Sequence, residues 1–395
     1  MISRAVGSPA AGNYAALSGI LPYAKKSGLT SFSSLGCIKK ALHTKKVGHT
    51  GTLDSFAEGL LVVLTGSLTR LVPFFTLFDK TYEAVISFGE ETDTLDPSGS
   101  VIRSAPLPDS ADFEKSLSVF CGNIMQSPPA YSAIHVNGKR ASELAREGRL
   151  ESLPERPVTV FKNEILETRL TTENKVRYAR VLFHVSKGTY IRSLARDIAL
   201  NCNSAAHLIG LKRTKVGCFS LEDAAFFEDL EDFTIDSVVR RGNSSDCREK
   251  NEFVRRMKNC SVHVPTAESR SFCDKTRQSA DEVQARTEDV ILRSLMSFTP
   301  ETAEYCGFIP LTLHENRRTD FINGKPLKTH FFEDFENLAS TLELYKKRLS
   351  ASSVCEPLNC AVFLPDRTFC GIVQAVFSQA AGLPRLKYGF VVSDI

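Results

Sequence analysis

The chain has 395 residues, 42% hydrophobic and 24% charged, and its 49 Lys and Arg against 46 Asp and Glu leave a net charge of +3. Such a balance excludes disorder throughout, a collagen repeat and a coiled-coil rod, and the length suits two or three domains. No apolar run approaches the ~18 residues of a membrane helix, and eleven cysteines without a C-x-x-C pair favour reduced thiols in a cytoplasm over a disulfide framework or zinc ribbon.

Residues 1–20 read as an N-terminal extension that lacks the charged start and apolar block of a signal peptide. Six lysines and no acid follow between Lys25 and Lys46. Within that basic stretch, residues 31–43 have helical spacing, with Phe32, Leu35, Ile38 and Leu42 on the apolar side and Lys39 and Lys40 outside. GHTGTLDSFAEGLL (48–61) is a glycine-punctuated turn entering an apolar segment. Residues 82–88 alternate as a half-buried strand, and the turn-rich stretch 89–99 comes next. Its Asp93, Thr94 and Asp96 superficially resemble a calcium loop, but the EF-hand spacing is absent and no metal site is expected.

SPPAYSAIHVNGKR (127–140) is a proline-containing loop. Residues 176–185 alternate again, and 186–200 shifts to helical spacing. Between Lys187 and Phe219 six basic residues face one acid, Asp197, whereas seven acids and no base lie between Leu221 and Asp236. Two basic segments that met in the fold would make a polyanion-binding face that the net charge hides. Strands and helices mix without a β-α-β rhythm, which points to α+β. Residues 240–289 carry twenty charged side chains and only six of Ile, Leu, Val or Phe, so 236–299 is expected to be a charged, flexible insertion. Cys247, Cys260 and Cys273 recur there without ligand pairing. Residues 300–395 regain an apolar pattern, with strands expected at 360–364 and 370–377. The catalytic part is then 21–235.

Asp54 is the first candidate for chemistry. It ends GHTGTLD and precedes Ser55-x-x-Glu58, a capping-box pattern, so in isolation it is most simply a helix cap. Its company changes that reading: KKSGLTS (25–31), DKTYEAVISFG (79–89), SPPAYSAIHVNGKR, SKGTYIRSLARD (186–197) and AHLIGLKR (206–213) occur in this order. Together these segments resemble the TruB-type bacterial tRNA pseudouridine-55 synthases over about residues 20–225.

The resemblance implies the α+β pseudouridine synthase fold, with a mixed, largely antiparallel sheet and a small β-rich C-terminal domain, possibly RNA-binding. It implies isomerisation of uridine 55 in the TΨC arm of tRNA, with no cofactor, no membrane, no obligatory protein partner and a cytoplasmic location. By the same resemblance Asp54 is the catalytic nucleophile, with Tyr82 and Arg192 as catalytic partners. His49, Tyr82, Tyr190 and Leu211 would bind the extruded nucleotide. Lys26 and Ser55 stand where the family usually has proline, and Glu58 where it has threonine or a small residue. None of these departures removes a catalytic group, but Ser55 and Glu58 bear on how the loop is held.

The chemistry needs an ionised carboxylate at a sugar carbon, and Arg192 beside Asp54 would hold its pKa down against any burial. An extruded base needs an aromatic platform, which Tyr82 and Tyr190 supply. Two other readings remain open on the residues alone. A glycoside hydrolase would need a second carboxylate about 5 to 9.5 Å away. A non-catalytic RNA-binding module would use the basic segments and keep Asp54 as a cap.

Overall fold

A computed structural model of the chain describes residues 17–132, 134–136, 138–149, 153–243, 270–333, 357–376 and 385–392. Two kinds of apolar run build its large sheet. Glu58–Thr65 is buried at every position, as befits a strand covered on both faces. Val176–Val185 is buried at alternate positions along most of its length, with one face inward.

The strand order is Ile20–Lys25, Glu58–Thr65, Ala206–Val216, Lys80–Phe88, Val176–Val185, Arg156–Leu170 and Gly122–Gln126. Val47–His49 pairs with the second of these and Phe219–Ser220 with the third. Within this sheet Glu58–Thr65 runs parallel to Ala206–Val216, and the remaining pairs are antiparallel. Helix Ile191–Asn201 covers one face, with Ile191, Leu194, Ala195 and Ile198 buried against Ile86, Phe88, Val181 and Phe183. The α+β class and the largely antiparallel sheet expected from the sequence are both present.

A second sheet contains Ile309–Thr312, Leu358–Phe363, Phe369–Val376 and Arg385–Val391. It has a core of its own around Leu311, Phe321, Val362 and Val373, and it is also joined to the large sheet. Leu60, Phe75 and Val216 of the large unit share one apolar cluster with Phe298, Phe308, Phe363 and Ile372. At this seam the thiols of Cys218 and Cys306 lie 3.8 Å apart. Among the described residues no helix is long and apolar enough to cross a membrane.

Helix Ser31–Ala41 departs from its expected register at one position. Leu35, Ile38 and Leu42 are buried, but Phe32 is 75% exposed. Ser31 takes the inward place, because its hydroxyl donates to the Leu53 carbonyl at 3.0 Å and accepts from the Leu53 amide at 2.9 Å. A helix turns about 100° per residue, so the inward Ser31 sends Phe32 to the outer face.

The expectation of a flexible insertion over 236–299 also needs correction at both flanks. Residues 244–269, including Cys247 and Cys260, lie outside the described residues. Before them, helix Ile235–Asn243 buries Ile235 and Val238 against Val85 and Phe233. After them, helix Arg270–Ser294 brings Ile291 into a cluster with Leu21, Leu35 and Leu61. Beyond it, Met296 exchanges two backbone hydrogen bonds of 2.8 Å with Ile20. The charged composition belongs to 240–289, and the side chains that dock, Ile235, Val238 and Ile291, lie just outside that window on either side. Ile291→Ala should therefore cost about 2 to 5 kcal/mol in urea unfolding, and a change below about 1 kcal/mol would return this helix end to the linker class.

Candidate active site

The loop carrying Asp54 is held by the KKSGLTS segment from below. Lys25 is fully buried, and its ammonium donates to the carbonyls of Lys26 at 3.1 Å, Leu29 at 2.6 Å and Ala57 at 2.7 Å. Burial, followed by the nearby Arg213, pulls the Lys25 pKa down to about 8. Ser27 donates its hydroxyl to the Phe56 carbonyl at 2.8 Å, and the Gly28 amide donates to the Ser55 carbonyl at 2.7 Å. With the two Ser31–Leu53 bonds, Leu53, Ser55, Phe56 and Ala57 of the loop are all tied to this segment.

Arg213 holds the same loop from the sheet side. It is buried on Ala206–Val216 and donates to the carbonyls of Leu60 at 2.7 Å and Gly51 at 3.1 Å. Gly59 makes this approach possible. Its φ is +109°, and a Cβ there would stand 2.4 Å from the Arg213 carbonyl oxygen, so no side chain fits.

The two departures noted in the loop are accommodated separately. Ser55 is exposed. Glu58 is buried, with one carboxylate oxygen 3.2 Å from the Lys212 ammonium and the other 2.7 Å from Arg241. The buried carboxylate is thus matched by two cations, one of them on helix Ile235–Asn243.

Asp54 meets Arg192 at the loop's end. Arg192 Nε lies 2.9 Å from Asp54 Oδ2 without the alignment of a hydrogen bond, while Nη2 donates to Oδ1 at 3.3 Å. The guanidinium is only 5% exposed. It also donates to the carbonyls of Thr94 at 2.8 Å and Tyr131 at 3.1 Å, and Nη1 stands 3.5 Å from Asp96 Oδ2. Asp96 is in turn fixed by the Thr94 hydroxyl at 2.8 Å and the Ser98 amide at 2.9 Å. The stretch rejected as a calcium loop is therefore the inner support of Arg192, a role that the sequence reading missed. Among the described residues no His, Cys and carboxylate cluster could hold a metal.

Asp54, Tyr82, Tyr190, Arg192 and Leu211 all line one cavity of about 360 Å³, together with Lys80, Tyr131, Arg156 and Arg213. His49 is not among the lining residues. Its imidazole Nδ1 accepts from the Gly51 amide at 3.4 Å, and burial followed by Arg213 lowers its pKa, so it is neutral and organises the turn. Leu211 is buried in the apolar cluster beneath the cavity. Tyr190 exchanges hydrogen bonds with the Gln126 side chain at 2.8 and 3.1 Å, and the Arg156 guanidinium lies 4.9 Å above its ring. Lys80 is pulled down to about 8, mainly by burial. The sequence reading gave Lys80, Arg156 and Arg213 no place at the site, although Lys80 and Arg213 stand in its motif segments, because a lone cation in a strand or loop signals no position until the fold gathers it.

Asp54 is the one carboxylate among the described lining residues. Asp96 faces Arg192 from behind and does not reach the cavity. Among the described lining residues no second carboxylate completes the acid–base pair that a glycoside hydrolase needs. Four cations, three tyrosines and a single carboxylate at the wall suit a polyanion with an unstacked base.

Residues 39–191 match the N-terminal domain of the TruB family pseudouridylate synthases. A protein of Treponema denticola named tRNA pseudouridine synthase B is 41% identical over 347 residues, 83% of this chain and 90% of that one. The chain belongs to the TruB family of pseudouridylate synthases. Likewise, proteins of the same name from Treponema pallidum and Borreliella burgdorferi are 34% and 43% identical, covering 80% and 56% of this chain and 87% and 77% of theirs. A solved Cbf5-Nop10-Gar1 complex contains a chain with TM-score 0.54 and 19% identity, matching 94% of this chain and 84% of that one. A chain in an H/ACA RNP bound to a substrate RNA has TM-score 0.53 and 17% identity, over 95% and 86%. These structures support the pseudouridine synthase fold.

The electrostatics of Asp54 differ from the expectation that Arg192 would hold its pKa down. Burial comes first and raises it, Arg192 opposes, and Asp96 adds to the rise, so the net direction is upward from the ordinary 3.8. The side chain is still 36% open at the cavity mouth, enough to meet a ligand. With a raised folded-state pKa, the folded chain binds this proton more tightly than the unfolded one. Its stabilising contribution is full below the ordinary value and is lost as pH rises through the shifted one. At pH 7 the ionised carboxylate therefore burdens the fold, and Asp54→Asn should melt no lower than the parent. A drop of several degrees in calorimetry would mean that the Arg192 pairing outweighs burial. In the parent, the acid limb of turnover should lie above the pKa of an ordinary aspartate.

Proposed function

We propose that this TruB-family pseudouridine synthase acts on tRNA and converts uridine 55 of the TΨC arm to pseudouridine in the cytoplasm, without a cofactor. The observation that carries the reading is the carboxylate of Asp54, the one acid among the described lining residues, on a cavity wall that also carries three tyrosines and four cations. The names of the relatives support the tRNA substrate, and the GHTGTLD and KGTYIR motifs support the position.

The reaction breaks the N1–C1′ glycosidic bond, turns the uracil and joins C5 to C1′; C5 loses a proton and N1 gains one. No oxidant or energy source is consumed. Asp54 serves as the nucleophile towards C1′ or as the group that assists a glycal; both routes use the ionised carboxylate. Arg192 orients it and steadies its charge. Tyr82 stacks on the flipped base and takes the C5 proton. Tyr190 and Leu211 shape the pocket around the base, and His49 keeps the turn that meets the extruded nucleotide.

Sequencing that maps pseudouridine in tRNA transcripts treated with purified protein tests the reading, and a single conversion at position 55 is expected. Asp54→Asn should lower the single-turnover rate by several orders of magnitude, by analogy with other essential groups. Binding of the TΨC stem-loop should persist, since phosphate contacts spread over the basic segments supply most affinity and weaken with salt. Arg192→Lys should also slow turnover, because an ammonium cannot reach Asp54, Thr94 and Tyr131 together. Wild-type turnover by Asp54→Asn would remove Asp54 from the chemistry, and equal loss of rate and binding would make it a structural cap.

A further inference from the structure

Phe32 is a costly side chain to leave in water. Burying a phenylalanine ring is favourable, yet Phe32 is 75% exposed on the first turn of its helix. Its surroundings are selective. The Lys39 ammonium lies 5.0 Å from the ring centroid, and Lys40, Lys45 and Lys46 are exposed on the same stretch. No acid occurs between Lys25 and Lys46. The ring is also anchored beside the chemistry: Ser31, its neighbour, is bonded to Leu53, the neighbour of Asp54.

We propose that Phe32 and Lys39 form a stacking subsite for an unpaired nucleobase of the substrate RNA that flanks the nucleotide held at Asp54. The inference rests on the reading of this cavity as an RNA pseudouridine synthase site. An aromatic face accepts any base without hydrogen-bond readout, and the ammonium at the ring supplies a phosphate partner for the same nucleotide. The exposed lysines extend that contact along the backbone. A buried serine at position 31 thus has two effects: it secures the Asp54 loop and it presents the ring to the RNA.

The chain contains no tryptophan, so Phe32→Trp introduces a single reporter. Its emission should be open to acrylamide in the free protein and should be quenched on addition of a TΨC stem-loop transcript. Stem-loop affinity should fall about 5- to 100-fold in Phe32→Ala and Phe32→Leu, be retained in Phe32→Trp, and leave the melting temperature unchanged. Transcripts with single abasic positions across the loop identify the stacked base, because at that position Phe32→Ala should cause no further loss. An indicator already shielded without RNA would mean that another part of the protein or a second copy covers the ring, and would overturn the proposal. Unaltered affinity in Phe32→Ala, or no abasic position that absorbs its effect, would overturn it as well. Pseudouridine mapping with the parent separates the two levels. A parent that converts no uridine brings down the enzymatic reading, whereas a converting parent with an indifferent Phe32 series brings down the subsite alone.

Discussion

A guanidinium that is almost wholly out of water needs partners, and Arg192 finds them in three separate parts of the chain beyond its own helix. Its own helix begins at Ile191, the Asp54 loop supplies a carboxylate, the 93–99 turn supplies Asp96 and the Thr94 carbonyl, and Tyr131 supplies another carbonyl. Each of those segments is short of regular structure where it touches Arg192. The cation therefore does more than pair with Asp54; it sets the positions of the loops that wall the cavity.

The same arrangement holds two demands in tension. The proposed reaction uses an ionised Asp54, while the dense surroundings favour its neutral form. Arg192 reduces that penalty without abolishing it, and its Nε contact with Asp54 lacks hydrogen-bond alignment. Sites arranged for chemistry commonly keep such unresolved electrostatics. Lys25 and Arg213, whose hydrogen bonds end on loop carbonyls, allow the loop to bear it: the backbone is restrained from both sides, so the carboxylate has little freedom to swing out to water.

Much of this was legible in the sequence, and the reasons for the failures are specific. Val176–Val185 was readable because its period of two reflects one buried face. GHTGTLD and KGTYIR located Asp54 and Arg192 because the spacing of chemically unusual residues is hard to imitate. Phe32 was assigned inward because hydrophobicity was the only signal; the serine beside it wins through a pair of hydrogen bonds that no periodicity contains. Asp96 was weighed as a metal ligand and dismissed, since its true partner is nearly a hundred residues away. Arg213 was silent for the same reason: its function is to reach carbonyls, which every residue has. His49 was placed by motif with the substrate; its ring accepts from the Gly51 amide and is not among the residues that line the cavity.

The pairing of Ile20 with Met296 has a consequence for the order in which the molecule is made. The first strand of the large sheet, Ile20–Lys25, waits at the ribosome while most of the chain is still to be synthesised. Its neighbour Glu58–Thr65 arrives early, but the segment that closes its outer end and the apolar side chains of Phe298 and Phe308 come nearly three hundred residues later. Contacts of such long sequence separation form late, after a large loss of chain entropy. Until then a nascent chain exposes an apolar flank. Newborn molecules are thus most vulnerable to aggregation or proteolysis at this edge.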